Sequence, residues 1–163
     1  MSASFKVSET VYIETSILGY LTARSTKNLI LSANMEITQA WWINRRNLFT
    51  LYISEVVLDE VAEGDAEIAG KRLEALQDIP LLSVDETALT LAEQFLLRSN
   101  LPPKAATDSV HIAIATIHGM DYLLTWNCKH IANAQIQKKL AQISLEFGYE
   151  MPTICTPYEL MGE

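Results

Sequence analysis

An α/β fold, with a mostly parallel sheet flanked by helices, is what this sequence predicts. Three observations predict it. Short β-branched and aromatic runs, such as Val11-Tyr12-Ile13, alternate with longer segments of helical periodicity. Capping residues and glycines separate the two kinds of segment. The 163 residues are 49% hydrophobic, enough to bury one core, and no repeat, low-complexity segment or linker divides them. The whole chain therefore reads as one domain, with its core over about residues 11–155.

Val11-Tyr12-Ile13 reads as a buried first strand ending at Glu14. Thr15 and Ser16 are good helix starters, and Ile17 to Ala23 follows as a short helix. After a polar loop, Arg24 to Lys27, the segment Asn28 to Arg46 predicts a long helix. Its apolar residues Ile30, Ala33, Ile37 and Trp41 recur at helical spacing, and Trp42 thickens the stripe. Arg45 and Arg46 fall in the last turn, where cations suit the helix dipole.

Leu48 to Ile53 reads as the second strand. Ser54 is expected to cap a helix running from Glu55 to about Glu63, stopped by Gly64. Asp65 to Leu76 is amphipathic, and Asp78-Ile79-Pro80 breaks it. Leu81 to Val84 predicts a third strand, and Asp85 caps a helix from Glu86 to Arg98. Beyond the stiff Asn100-Leu101-Pro102-Pro103, a helix runs from about Ala105 to His118, closed by Gly119. Tyr122 to Thr125 is the fourth strand, Ala134 to Phe147 a further helix, and a last strand is expected near Pro152 to Cys155.

No apolar run approaches the roughly 20 residues that span a bilayer. The polar Met1 to Ser8 lacks the basic and apolar regions of a secretory signal. A cytoplasmic protein with no membrane partner is expected. Its two cysteines, Cys128 and Cys155, read as reduced, unpaired thiols. Cys128 and His130 are close in sequence, but two ligands do not make a zinc site. The net charge of −8 argues, taken alone, against a nucleic-acid partner. It leaves room for acidic residues that converge on a cation shared with a substrate phosphate.

Position along the chain bears on that choice. In open α/β sheets, ligands bind outside the carboxyl ends of the strands. Glu14 ends the first strand, and Asn127 lies just past the fourth. A carboxylate after Val-Tyr-Ile is either an exposed strand end or a buried charge that a metal would relieve. Asp108 sits in the first turn of an apolar helix, where a carboxylate also suits the dipole. His111, one turn on, reads as a packed structural histidine rather than a ligand. Glu60 falls at the border of the face formed by Val56, Val57 and Val61, while Asp59 and Glu63 point outward. No Gly-rich phosphate loop and no Ser-His-Asp order is present.

The succession of Glu14-Thr15-Ser16 after a strand, Ser54 through Glu60, Asp108-x-x-His111-Ile112-Ala113-x-Ala115, and Leu124-Thr125-Trp126-Asn127 resembles the PIN domain. Among PIN domains it looks most like the VapC-type toxins of toxin–antitoxin pairs. The resemblance implies acidic residues gathered at one end of a parallel sheet, binding Mg²⁺ or Mn²⁺ and hydrolysing RNA phosphodiesters to leave a 5′-phosphate. It puts Glu14, Glu60, Asp108 and Asn127 in the catalytic set, with the metal between Glu14 and Asp108. Thr15 and Thr125 match polar positions that help hold the site. It further implies an RNA substrate, a cognate antitoxin and a homodimer. Lys129 and His130, directly after Asn127, are candidates to touch RNA, as are Arg24, Lys27, Arg45, Arg46 and Lys104.

Two positions depart from the family pattern. The first acid is usually Asp and is Glu14 here; the fourth is usually Asp and is Asn127 here. An amide oxygen ligates a hard cation without adding charge, so metal affinity should fall. Asp121 precedes the fourth strand and is expected at its opposite end. The departures leave open an alternative: a weakened PIN-like module that binds RNA or an antitoxin without turnover.

Overall fold

The computed structural model describes residues 7–162. Of the polar stretch Met1 to Ser8, only Val7 and Ser8 lie within them. Five parallel strands form one sheet: β1 (Thr10–Ile13), β2 (Thr50–Ser54), β3 (Leu81–Leu82), β4 (Tyr122–Leu124) and β5 (Thr153–Cys155). Their order is β3-β2-β1-β4-β5, which puts β1 at the centre. The helices are α1 (Thr15–Thr22), α2 (Leu29–Asn44), α3 (Glu55–Val61), α4 (Ala66–Ala75), α5 (Glu86–Arg98), α6 (Ala106–Ile117) and α7 (Ala134–Glu146). The α/β class and the mostly parallel sheet predicted above are what the chain adopts.

The short strands reflect burial on both faces. Val11, Tyr12 and Ile13 are fully buried, as are Leu123 and Leu124 beside them. Such strands consist of unbroken apolar runs rather than alternating ones. The helices gather in two groups. In the first, α1 packs against α2, α3 and α4; in the second, α5 packs against α6 and α7. In α6, Ser109 and every residue from His111 to Thr116 are buried, so this helix is part of the core rather than a cover for it.

Local chemistry sets the boundaries. Asp65 Oδ1 accepts from the backbone N–H groups of Glu67 and Ile68, and Asp85 Oδ1 accepts from that of Ala88. Each satisfies donors that the first helical turn leaves free. Gly64 at φ 87° and Gly119 at φ 66° end α3 and α6 in the left-handed region.

Four expectations need correction. Thr15 and Ser16 do not cap α1; Glu14 does, accepting from the Ser16 N–H at 3.2 Å. Ser54 occupies the cap position of α3 but makes no capping bond, because its hydroxyl is held by Tyr12. The long helix stops at Asn44, and Arg46–Leu48 forms a separate 3-10 turn before β2. Its buried stripe is Met35, Thr38 and Trp41, whereas Ile30 is 77% exposed and Ala33 is also in solvent. Another 3-10 turn, Pro157–Leu160, follows β5 and packs on α2.

Candidate metal centre

Parallel pairing carries the β1 ladder one step past the strand. The backbone N–H of Glu14 donates to the carbonyl of Leu124, and that of Thr125 to the carbonyl of Cys155. Glu14 and Thr125 thus emerge side by side at the carboxyl end of the two central strands. The Glu14 side chain is only 4% exposed. Three donors meet its carboxylate: Thr125 Oγ1 at 2.5 Å, Ser16 Oγ at 2.5 Å and the Ser16 N–H at 3.2 Å.

Glu60 reaches the same point from α3. Its Oε1 accepts from Thr15 Oγ1 at 2.6 Å and from His111 Nε2 at 2.5 Å. Burial on its own would raise the Glu60 carboxyl. The hydrogen bonds from His111 and Thr15, together with the His111 charge, outweigh it and hold the group below its ordinary 4.5. Behind His111, Nδ1 lies 2.7 Å from the Tyr12 hydroxyl, and that hydroxyl lies 2.8 Å from Ser54 Oγ. Burial pushes the Tyr12 phenol well above its ordinary value, so it stays protonated at neutral pH.

Glu14, Glu60 and His111 each offer one ligand atom, all within 4.8 Å of one another. Asp108 stands outside that group. Its Oδ2 accepts from His130 Nδ1 at 3.0 Å, with both side chains mostly buried. Asn127 is also engaged: its Oδ1 accepts from the His130 N–H at 3.1 Å, and its own N–H donates to Thr125 Oγ1 at 2.9 Å. A continuous chain of bonds thus links Glu14 to Asp108 through Thr125, Asn127 and His130.

The donor set suits a divalent cation. Among the described residues, no Lys or Arg forms an ion pair with Glu14, Glu60 or Asp108; their partners are histidines, hydroxyls and amides. A buried carboxylate without a cationic partner is costly unless a metal shares its charge. Two carboxylates, braced by hydroxyl and imidazole donors, suit a hard cation such as Mg²⁺ or Mn²⁺.

The other named residues divide by end of the sheet. Lys104 precedes α6, whose first turn carries Asp108, and Lys129 follows Asn127; both are exposed beside the site. Arg45 and Arg46 precede β2, at the amino end, where Arg46 stands 4.3 Å over the Trp42 ring. Asp121 is at that same end, accepting from the Thr10 N–H at 2.8 Å. Sequence reasoning missed Ser16, Tyr12 and Ser54 as parts of this network. It also missed His111 as the partner of Glu60. The available signal was Tyr12, since a phenol in a fully apolar strand needs a buried partner.

A family model of the PIN domain matches residues 11–130, which contain every side chain of this network. No curated protein matches the chain. Among solved structures, it is similar to a chain of VapBC2 from Rickettsia felis bound to a DNA fragment from their promoter. That match has a TM-score of 0.53 at 14% identity, and it covers 90% of this chain and 98% of the other. At that identity the likeness concerns the fold. With the family model spanning most of its length, the chain belongs to the PIN-domain family.

Proposed function

We propose that this PIN domain is a divalent-metal-dependent endoribonuclease, the toxin of a toxin–antitoxin pair. The observation that carries the reading is the buried Glu14 carboxylate meeting Glu60 and His111 within 4.8 Å at the carboxyl end of the central strands. A Mg²⁺ or Mn²⁺ ion there would offset charge on the RNA phosphate and acidify a water for in-line attack. Glu14, held rigidly by Thr125 and Ser16, would be its main protein ligand. Glu60 would be the second carboxylate ligand, while Asp108, at the amino end of α6, would orient the attacking water or join the ligand set, with Asn127 at the margin. Lys129 and Lys104 supply cations for the substrate backbone despite the net charge of −8.

The neighbouring fold belongs to a VapBC2 assembly, which supports a cognate antitoxin as partner for this chain as well. We further infer that the protein acts as a homodimer in the cytoplasm. Free Cys128 and Cys155 agree with a reducing compartment. Among the described residues, no helix is long and apolar enough to cross a membrane.

One observation favours a second reading. Asp108 is bonded to His130, and the Asn127 side chain is occupied by backbone. A PIN module with these groups engaged would bind RNA or an antitoxin without cutting. Cleavage of a labelled structured RNA in Mn²⁺, Mg²⁺ or EDTA separates the two, comparing wild type with Asp108→Asn and Glu14→Gln. Metal-dependent cutting that both substitutions abolish establishes the nuclease. Cutting by all three proteins points to a contaminant, and no cutting across several RNAs selects the binding module.

A further inference from the structure

His111 is fully buried, yet both of its ring nitrogens are spoken for. Nε2 faces Glu60 Oε1 at 2.5 Å; a carboxylate only accepts, so Nε2 carries the hydrogen. Nδ1 is tethered to Tyr12, which is tethered in turn to Ser54. Two other elements therefore brace this ring on α6 with buried polar groups: β1 directly through Tyr12, and β2 through Ser54 behind it. Ser54 does so instead of capping the helix it introduces. Packing alone would not require this, because an apolar side chain would fill the space without partners.

The two donors to Glu60 also fall on the same atom. Thr15 and His111 both bond Oε1, and Oε2 makes no hydrogen bond among the described residues. Resting on the metal-nuclease reading above, we propose that His111 is a positioning residue: its Nε2–H, braced by Tyr12 and Ser54, pins one oxygen of Glu60 and so fixes which oxygen is left to meet the cation. Groups that orient ligands in this way tune affinity without touching the ion.

The test is calorimetric titration with Mn²⁺ of wild type, His111→Leu, His111→Gln and Tyr12→Phe, each checked for a cooperative melt. The terminal amide of glutamine presents an N–H close to where Nε2 stands. His111→Leu is expected to weaken Mn²⁺ binding by about 10- to 100-fold. His111→Gln should recover most of that loss, and Tyr12→Phe should fall between. Wild-type affinity in a folded leucine variant overturns the proposal. An equal loss in the glutamine variant would make the imidazole itself a ligand and overturn it too. Should the leucine variant fail to fold, Tyr12→Phe decides, and a change of less than about twofold counts against the tether. Absence of Mn²⁺ binding by the wild type strikes instead at the nuclease reading beneath.

Discussion

Thr125 Oγ1 lies 2.5 Å from Glu14 Oε1, although the two residues stand 111 positions apart in the chain. Adjacent parallel strands deliver them to the same place. Thr125 is fully buried, so its hydroxyl exists for this contact and for the Asn127 N–H that it accepts. Thr125→Val keeps the shape and removes the donor. The expected cost is about 1.5–3 kcal/mol, the range for a hydrogen bond to a charged group. Urea denaturation measures it; an unchanged midpoint would show that the carboxylate finds another donor.

Glu60 gives the protein a defined acid response. Its folded carboxyl titrates below the ordinary 4.5, so the unfolded chain takes up the proton first as pH falls. Its stabilising contribution is complete above about 4.5 and disappears as pH drops through the lower folded value. Glu60→Gln should flatten the stability curve in that acid window, measured by urea unfolding between about pH 6 and pH 3. A curve parallel to wild type would assign the acid sensitivity elsewhere.

Divalent metal should stabilise the fold through Glu14 and Glu60. At a concentration 100 times the dissociation constant, binding to the folded state adds about 2.7 kcal/mol. For a chain of this size that raises Tm by roughly 5–10 °C. Mn²⁺ should produce the shift, EDTA should reverse it and Glu14→Gln should remove it. Asn127→Asp restores a fourth carboxylate and should enlarge it. Melting curves insensitive to Mn²⁺ would remove the metal centre from consideration.

The thiols should differ in reactivity. Cys155 is 2% exposed in β5, and burial, followed by the Glu159 charge, pushes its thiol up to about 12. Cys128 lies exposed in the loop after β4. An aromatic disulfide reagent should label one thiol per native chain and two in denaturant. Two rapid native labels would mean that β5 opens freely.

How much of this was legible depended on the range of each interaction. Asp85 and the helix Glu86–Arg98 were read correctly because the cap and the apolar period lie within a few residues of each other. The stripe on α2 differs from the expected one because its first turn, Leu29-Ile30-Leu31, is apolar on adjacent faces and marks no single buried side. Which face of α2 is buried is decided by the elements it packs on, α1 and the turn Pro157–Leu160, the latter far away in sequence. The same holds for the site. Glu14 and Glu60 stood out from a strand end and a helix border. The bond from His111 to Glu60 spans 51 positions, and that from Tyr12 to His111 spans 99. No local pattern encodes either.

The central place of β1 has a consequence for the life of the molecule during synthesis. Glu14 emerges early from the ribosome, but Thr125 and the loop that joins it to Asp108 come only after β4, late in translation. A nascent chain that ends at α5 carries both clustered carboxylates, Glu14 and Glu60, and lacks the strand that aligns them. The growing polypeptide therefore completes the bond from Thr125 to Glu14, and with it the site, only once β4 has docked beside β1.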